Sequence, residues 1–236
     1  MKLDPSRSVH IAIVGKKGSG KSVLSRSYWR TWPGDRLVID VTGDALEGPD
    51  REGVHTLTDP LPSKWPAQLQ ELAPHGRKRT SLRYVPDPGS PTYLADMDRA
   101  LGMAYAKGNV LVWVDEVGEL FPANRTPPYA RRALQQGRHR NLSLVLAGPR
   151  PIDVDPLVMS QADLVYVFRL PNPNDKRRVA DLIGWDPREF VAYVDQLETH
   201  AFLEYDAAAA ELTIYPPLPP QVAGPLPRSP GATTPT

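Results

Sequence analysis

The chain of 236 residues predicts an α/β fold: a three-layer sandwich in which a mainly parallel central sheet is covered by helices on both faces. Three observations predict it. Short β-branched runs alternate with segments of helical period, which is the pattern of strands joined by helical crossovers. Those runs are apolar throughout rather than alternating, as strands buried on both faces must be. The first run ends in a turn rich in glycine and lysine, and a later one ends in two adjacent carboxylates.

Each element follows from its residues. VHIAIV (9–14) is β-branched and stops at a Gly-rich turn, so it reads as a buried parallel strand. A helix is expected from about Lys21 to Trp32, ended by Pro33-Gly34, and RLVID (36–40) is the second strand. Residues 43–66 are rich in Gly, Pro and Asp without periodicity and read as a surface excursion. PAQLQELAPH (66–75) reads as a helix and SLRYV (81–85) as a short strand. Leu94, Met97, Leu101 and Tyr105 recur at helical spacing between Pro91 and Lys107, and lead into the strand NVLVWVDE. YARRALQQGRHR reads as a helix after the FPANRTPP loop, LSLVLAG (142–148) and DLVYVF (163–168) as buried strands. NDKRRVADLIG is a helix with Asn174 or Asp175 near its cap. HAFLEYD and ELTIY form a β-hairpin around a turn of small residues.

The expected organisation is one domain over residues 1–215, followed by a Pro-rich, disordered tail over 216–236, where eight of 21 residues are proline. The net charge of +1 leaves any polyanion to be met by local clusters. Absence of cysteine excludes disulfides, thiolate zinc sites and a thiol nucleophile. No apolar run reaches the ~18 residues of a membrane span and the N-terminus lacks an apolar leader core, so a soluble, cytoplasmic protein is expected.

Gly15-Lys16-Lys17-Gly18-Ser19-Gly20-Lys21-Ser22 matches GxxxxGK[ST], the phosphate-binding P-loop. Glycines let the backbone turn its amides toward phosphate oxygens, and the helix that starts at the lysine adds the positive end of its dipole. Gly15, Gly18, Ser19, Gly20, Lys21, Ser22 and Val23 are therefore the candidate nucleotide-binding residues. Lys21 is expected on the β- and γ-phosphates of ATP and the Ser22 hydroxyl on Mg²⁺. The partner acid should end another buried strand, and VLVWVDE supplies Asp115 to hold Mg²⁺ through water and Glu116 to polarise the attacking water. The fold class is thereby narrowed to the P-loop NTPases. Two strand candidates before the aspartate and a glutamate after it resemble the additional-strand, catalytic-glutamate (RecA-like) division, with water as acceptor.

Beyond the acids, GRHRNLSLVLAGPRPIDVDPLVMSQADLVYVFRL is similar to the HerA/FtsK family of hexameric DNA-pumping ATPases, in which a basic helix end, a strand, an Arg-Pro turn and a further strand follow one another. The resemblance spans roughly residues 9–206. It implies ATP hydrolysis at subunit interfaces of a homo-oligomeric ring, a hexamer, that moves double-stranded DNA without reading its sequence. The family's trans-acting arginine falls on Arg138, with Arg140 its competitor. The family's polar residue at the end of the sensor strand falls on Pro149, which can donate no hydrogen bond; Arg150 or Gln161 would have to substitute. Candidate DNA contacts are Arg77-Lys78-Arg79 with Arg83, and Arg125 with Arg131 and Arg132.

Within that family the resemblance is greatest to the genome-packaging ATPases of tailless, membrane-containing double-stranded DNA viruses. The ATPase core is nearly the whole chain, and no membrane anchor, nuclease-partner barrel or DNA-reading winged helix is visible. A capsid or membrane protein at a packaging vertex is then an expected partner, in the host cytoplasm or on the virion. The alternatives are a P-loop ATPase of virion assembly or secretion of the filamentous-phage type, a cellular or mobile-element DNA pump, and a small-molecule kinase, against which Glu116 argues.

Overall fold

The computed structural model describes residues 8–72 and 78–219. Eleven strands are formed among these: β1 (His10–Val14), β2 (Asp35–Ile39), β3 (His55–Leu57), β4 (Glu71–Leu72), β5 (Lys78–Arg79), β6 (Ser81–Tyr84), β7 (Val110–Val114), β8 (Ser143–Gly148), β9 (Leu164–Phe168), β10 (Phe202–Asp206) and β11 (Glu211–Tyr215). The helices are α1 (Lys21–Thr31), α2 (Tyr93–Lys107), α3 (Val117–Leu120), α4 (Pro128–Gln136), α5 (Leu157–Ser160), α6 (Pro173–Ile183) and α7 (Pro187–Gln196). Nine strands make one sheet in the order β11-β10-β9-β1-β8-β7-β2-β6-β3, parallel except at the terminal hairpin β10–β11.

The apolar strands divide their residues by parity, because successive side chains point to opposite faces. Ala12, Val14, Val112, Val114, Leu144 and Leu146 join the core under α2, α4, α6 and α7. Ile11, Ile13, Leu111, Trp113, Val145 and Ala147 join the core under α1, with Leu24, Tyr28 and Trp29 of that helix and Trp32 just after it. All five residues of β1, β7 and β9 and all six of β8 are buried. The three-layer α/β sandwich expected from the sequence is the fold observed.

β8 is the strand that separates β1 from β7, with Val14 opposite Gly148 and Val114 opposite Leu146. The strand inserted between the P-loop strand and the acid strand thus comes from after the acids, while β2 and β6 lie beyond β7. The carboxyl ends of β1, β7 and β8 are brought level, and a parallel sheet places its ligands at that edge.

Four local expectations are corrected. The excursion at 43–66 is not merely superficial: it buries Ala45, Leu46, Asp50, Leu57 and Trp65 and supplies β3 at the sheet edge. It is strapped to α1 by Arg26–Glu47 (2.6 Å) and by the forked pair Arg30–Asp50 (2.5 and 2.7 Å). The helix expected at 66–75 reduces to a 3-10 turn at Ala67–Leu69, of which Leu69 packs on the core, followed by extended Gln70 and the strand pair β4–β5; residues 73–75 lie outside the described residues. The cap of α6 is Asn172, whose side chain accepts from the Asn174 amide, and not Asn174 or Asp175. Finally α7 stands between α6 and the hairpin, begun by the Asp186 cap and Pro187. Of the proposed tail, residues 216–219 are described, and Leu218 packs against the α1-side core; the rest lies outside the described residues.

Candidate nucleotide site

The cradle forms where β1 ends. Gly15 is packed so closely on β9 that a Cβ there would lie 2.5 Å from the Phe168 Cβ and 2.9 Å from the Ser19 hydroxyl. Gly20 caps α1 in the left-handed region (φ 112°) with the Phe168 ring 3.1 Å from where its Cβ would be, so both positions require glycine. The loop is fastened at its start by the Lys16 amide, which donates to the Arg169 carbonyl at 3.0 Å, and is closed by the Ser19 amide donating to Lys16 O at 3.2 Å. The Ser19 hydroxyl is buried without a hydrogen-bond partner. Lys21 folds its ammonium back over the loop, donating to Gly15 O (2.7 Å) and Lys16 O (3.1 Å). Ser22 and Val23 are exposed on the first turn of α1.

At the end of β7, Asp115 accepts from the Val41 amide (2.8 Å) and the Thr42 hydroxyl (2.6 Å), so the turn after β2 orients it. Burial raises its pKa, and the hydrogen bonds from Thr42 and Val41 oppose the rise. Glu116 is half-buried and its pKa is pushed up to about 7, first by burial and then by the Asp115 charge, with Lys21 pulling the other way. Lys21 is in turn lowered by burial and raised by Glu116, so the lysine of the cradle and the glutamate of the acid strand lie within electrostatic reach of each other. The Glu116 Oε1 stands 3.7 Å from where a Gly148 Cβ would be, at the end of β8. A cleft of about 160 Å³ opens beside it, lined by Glu116, Glu119, Pro149, Arg150 and Asp153 among others.

The two candidates for the missing polar residue part company. Arg150 lines that cleft, held loosely by Asp153 (3.2 Å) and by the buried Asp175 (4.0 Å). Gln161 lies just before β9, at the opposite edge of the sheet, where its carbonyl accepts from Arg138 at 2.8 Å.

Arg138 is at that opposite edge too. It is exposed and pairs with Asp163 (2.9 Å), whose other oxygen accepts from the His10 amide at the foot of β1 (2.7 Å). Five residues of strand at ~3.3 Å each separate this foot from the cradle, about 16 Å, beyond the reach of the side chain within one protomer. Arg140 instead caps α2, donating to Ala106 O (2.6 Å) and Tyr105 O (3.3 Å). Among the basic clusters, Arg83 neutralises the buried Asp40 (2.6 Å) and donates to Gly43 O (2.7 Å), so it is a structural ion and not part of a lateral patch. Arg79 donates to Trp32 O (3.2 Å), and Arg77 lies outside the described residues. Arg125 and Arg132 are exposed on the loop before α4 and on α4, and Arg131 stands 4.0 Å from Asp155.

Thr42, Asp40 and His200, which touches the cradle, are contributions that the motifs do not announce. Only the Asp-Val-Thr run directly after a β-branched strand hints at the first two.

A phosphate cradle level with an acid pair two strands away, with one strand from later in the chain between them, makes this in fold a P-loop NTPase of the additional-strand arrangement. No family model matches the chain. It is similar to the DNA packaging ATPase P9 of Enterobacteria phage PRD1, 27% identical over 226 residues that cover 91% of this chain and 89% of that protein. Among solved structures it is similar to the genome packaging NTPase B204 of Sulfolobus turreted icosahedral virus 2 in complex with AMPPCP, with TM-score 0.67, 22% identity, and 91% and 100% of the two chains covered. The pCW3 conjugation coupling protein TcpA with ATPγS gives TM-score 0.53 at 16% identity, over 86% of this chain and 59% of that one. At such identities the structural likeness establishes the fold.

Proposed function

We propose that the chain is an ATPase that drives double-stranded DNA into a viral capsid, hydrolysing ATP at the interfaces of a homo-oligomeric ring, a hexamer. The observation that carries this is the placing of the phosphate cradle at the end of β1 level with Asp115 and Glu116 at the end of β7, with β8 between them. It is supported by the similarity, along nine-tenths of the chain, to a protein named as a DNA packaging ATPase. Among the described residues no helix is long and apolar enough to cross a membrane. The motor would work in the host cytoplasm or on the virion and dock a capsid or membrane protein at the packaging vertex.

In this reading the amides of Gly15, Gly18 and Gly20, the Ser19 amide once it leaves Lys16 O, and the Lys21 ammonium bind the β- and γ-phosphates, and Ser22 and Val23 complete the floor at the start of α1. Lys21 exchanges its two carbonyl partners for phosphate oxygens. Ser22 and Asp115 are hard oxygen donors suited to Mg²⁺, whose remaining positions phosphates and water would fill. Bound there, Mg²⁺ would neutralise charge developing on the phosphate oxygens. Glu116 takes a proton from the attacking water, a role for which a pKa near 7 suits it at neutral pH. Arg125 and Arg132 are the residues offered to the DNA backbone, where a few weak contacts per subunit suffice once several copies converge on one duplex.

The test is ATP turnover with and without duplex DNA, alongside particle mass in solution. The expected result is turnover stimulated by duplex of any sequence in a ring-sized particle, abolished by Lys21→Ala. A monomer indifferent to DNA would refute the motor reading.

Arg150 takes the place of the sensor that Pro149 cannot be, reading the γ-phosphate from the Glu116 cleft. Arg150→Ala should lower kcat about 10²-fold, the scale of one lost transition-state donor, while ADP affinity stays at the wild-type value. Parallel turnover and ADP titrations check this; an unchanged kcat would remove Arg150 from the site.

A further inference from the structure

His200 occupies the turn between α7 and β10 in the left-handed region, with φ 67°, a conformation unfavourable for a residue bearing a Cβ. Nothing in the hairpin itself demands a histidine there. Its ring reaches instead across to the P-loop, where Nδ1 lies 3.2 Å from the Ser19 carbonyl oxygen, 181 residues earlier in sequence. Since a carbonyl only accepts, Nδ1 carries the proton and donates. The same nitrogen lies 3.8 Å from the place where a Gly20 Cβ would stand, so the ring packs beside Gly20 as well.

In a planar trans peptide the carbonyl and the next residue's N–H point in opposite directions. The Ser19 carbonyl and the Gly20 amide belong to one such plane. Tethering the carbonyl outward to the imidazole therefore aims the Gly20 N–H inward, at the phosphate cradle. Gly20, with φ 112° and no Cβ, has the backbone freedom that makes an outside tether on that plane useful. Donation to the carbonyl also polarises the peptide and strengthens its N–H as a donor.

From these contacts we infer that His200 is a positioning residue: it fixes the Ser19–Gly20 peptide so that the Gly20 amide is presented to a nucleotide phosphate. The strained turn is thus the local cost of holding a P-loop donor in place from the far end of the chain. The inference rests on the reading of residues 15–22 as a nucleotide cradle.

Two variants test it on the full chain, with Mg²⁺, ADP titrated by calorimetry and ATP turnover measured. His200→Gly removes the ring and relieves the left-handed turn; His200→Asn keeps a side-chain donor and suits the same backbone. The expected result for His200→Gly is ADP binding weaker by about fivefold, the scale of one hydrogen bond. KM for ATP rises alike, kcat stays within about twofold and the melting temperature is not lowered. His200→Asn should recover most of the affinity. Wild-type affinity and KM in His200→Gly would overturn the assignment, as would a melting temperature that falls in step with affinity in both variants, the mark of a merely structural turn. If wild type and Lys21→Ala bind ADP equally, or neither binds it, the cradle reading itself fails and the inference falls with it.

Discussion

Glu116→Gln protein is expected to bind ATP normally and to hydrolyse it about 10³-fold more slowly, within the range that a lost general base costs. The amide is isosteric with the carboxyl and leaves Asp115, Thr42 and the cradle untouched, so the loss should appear in kcat rather than in nucleotide affinity. The pH dependence should change as well. Glu116 ordinarily titrates near 4.5 and here near 7, because burial and the adjacent Asp115 charge disfavour its ionised form. Wild-type turnover should rise as pH increases through about 7, as the base becomes unprotonated. Stability of the nucleotide-free protein should move oppositely: a carboxyl with a raised folded-state pKa holds its proton longer folded than unfolded, so its contribution is full below about 4.5 and is lost as pH rises through about 7. Melting temperatures across that window should therefore slope downward less in Glu116→Gln than in wild type. Normal turnover by the glutamine variant would remove Glu116 as the base.

Arg138→Ala should lower ring turnover by about 10³-fold or more, the scale of an arginine finger. Because the side chain lies at the foot of β1, far from its own cradle, an arginine finger there would have to serve a neighbour. Variant mixed into wild type should then depress activity out of proportion to its fraction. Linear loss on mixing would argue for action in cis or for a plain surface residue. Arg140→Ala should behave differently, since its guanidinium holds the last carbonyls of α2 and its loss would lower melting temperature before it lowered turnover.

Much of the fold was legible because the buried strands are unusually pure. VHIAIV, VLVWV and LVYVF have few other ways to hide their side chains, and the glycine and acid signals at two of their ends fix the functional edge of the sheet. What escaped has physical reasons. β3 is three residues long with a half-buried and an exposed position, so it exists only because β6 offers it an edge. β4 and β5 are two residues each, too short for any periodic signal. The start of α7 was written in the sequence as Asp186-Pro187 followed by Phe190 and Val194 one turn apart, a signal that the sequence reading passes over. The site splits in the same way. Lys21, Ser22, Asp115 and Glu116 follow from local spacing. Thr42, Asp40 and His200 come to the site only through tertiary contact, as members of turns whose composition says nothing of what they face. Arg83 shows the hazard of reading charge alone: counted with a lateral cluster, it is consumed by Asp40 beneath the acid strand.

Asp163 grips two things at once, the first amide of β1 and the guanidinium of Arg138. Were Arg138 drawn toward an adjoining protomer's nucleotide, Asp163 would keep only the first amide of β1, at the tip opposite the phosphate loop. In the proposed ring, the strand that carries each protomer's phosphate loop would hold, at its other tip, the arginine offered to its neighbour's nucleotide.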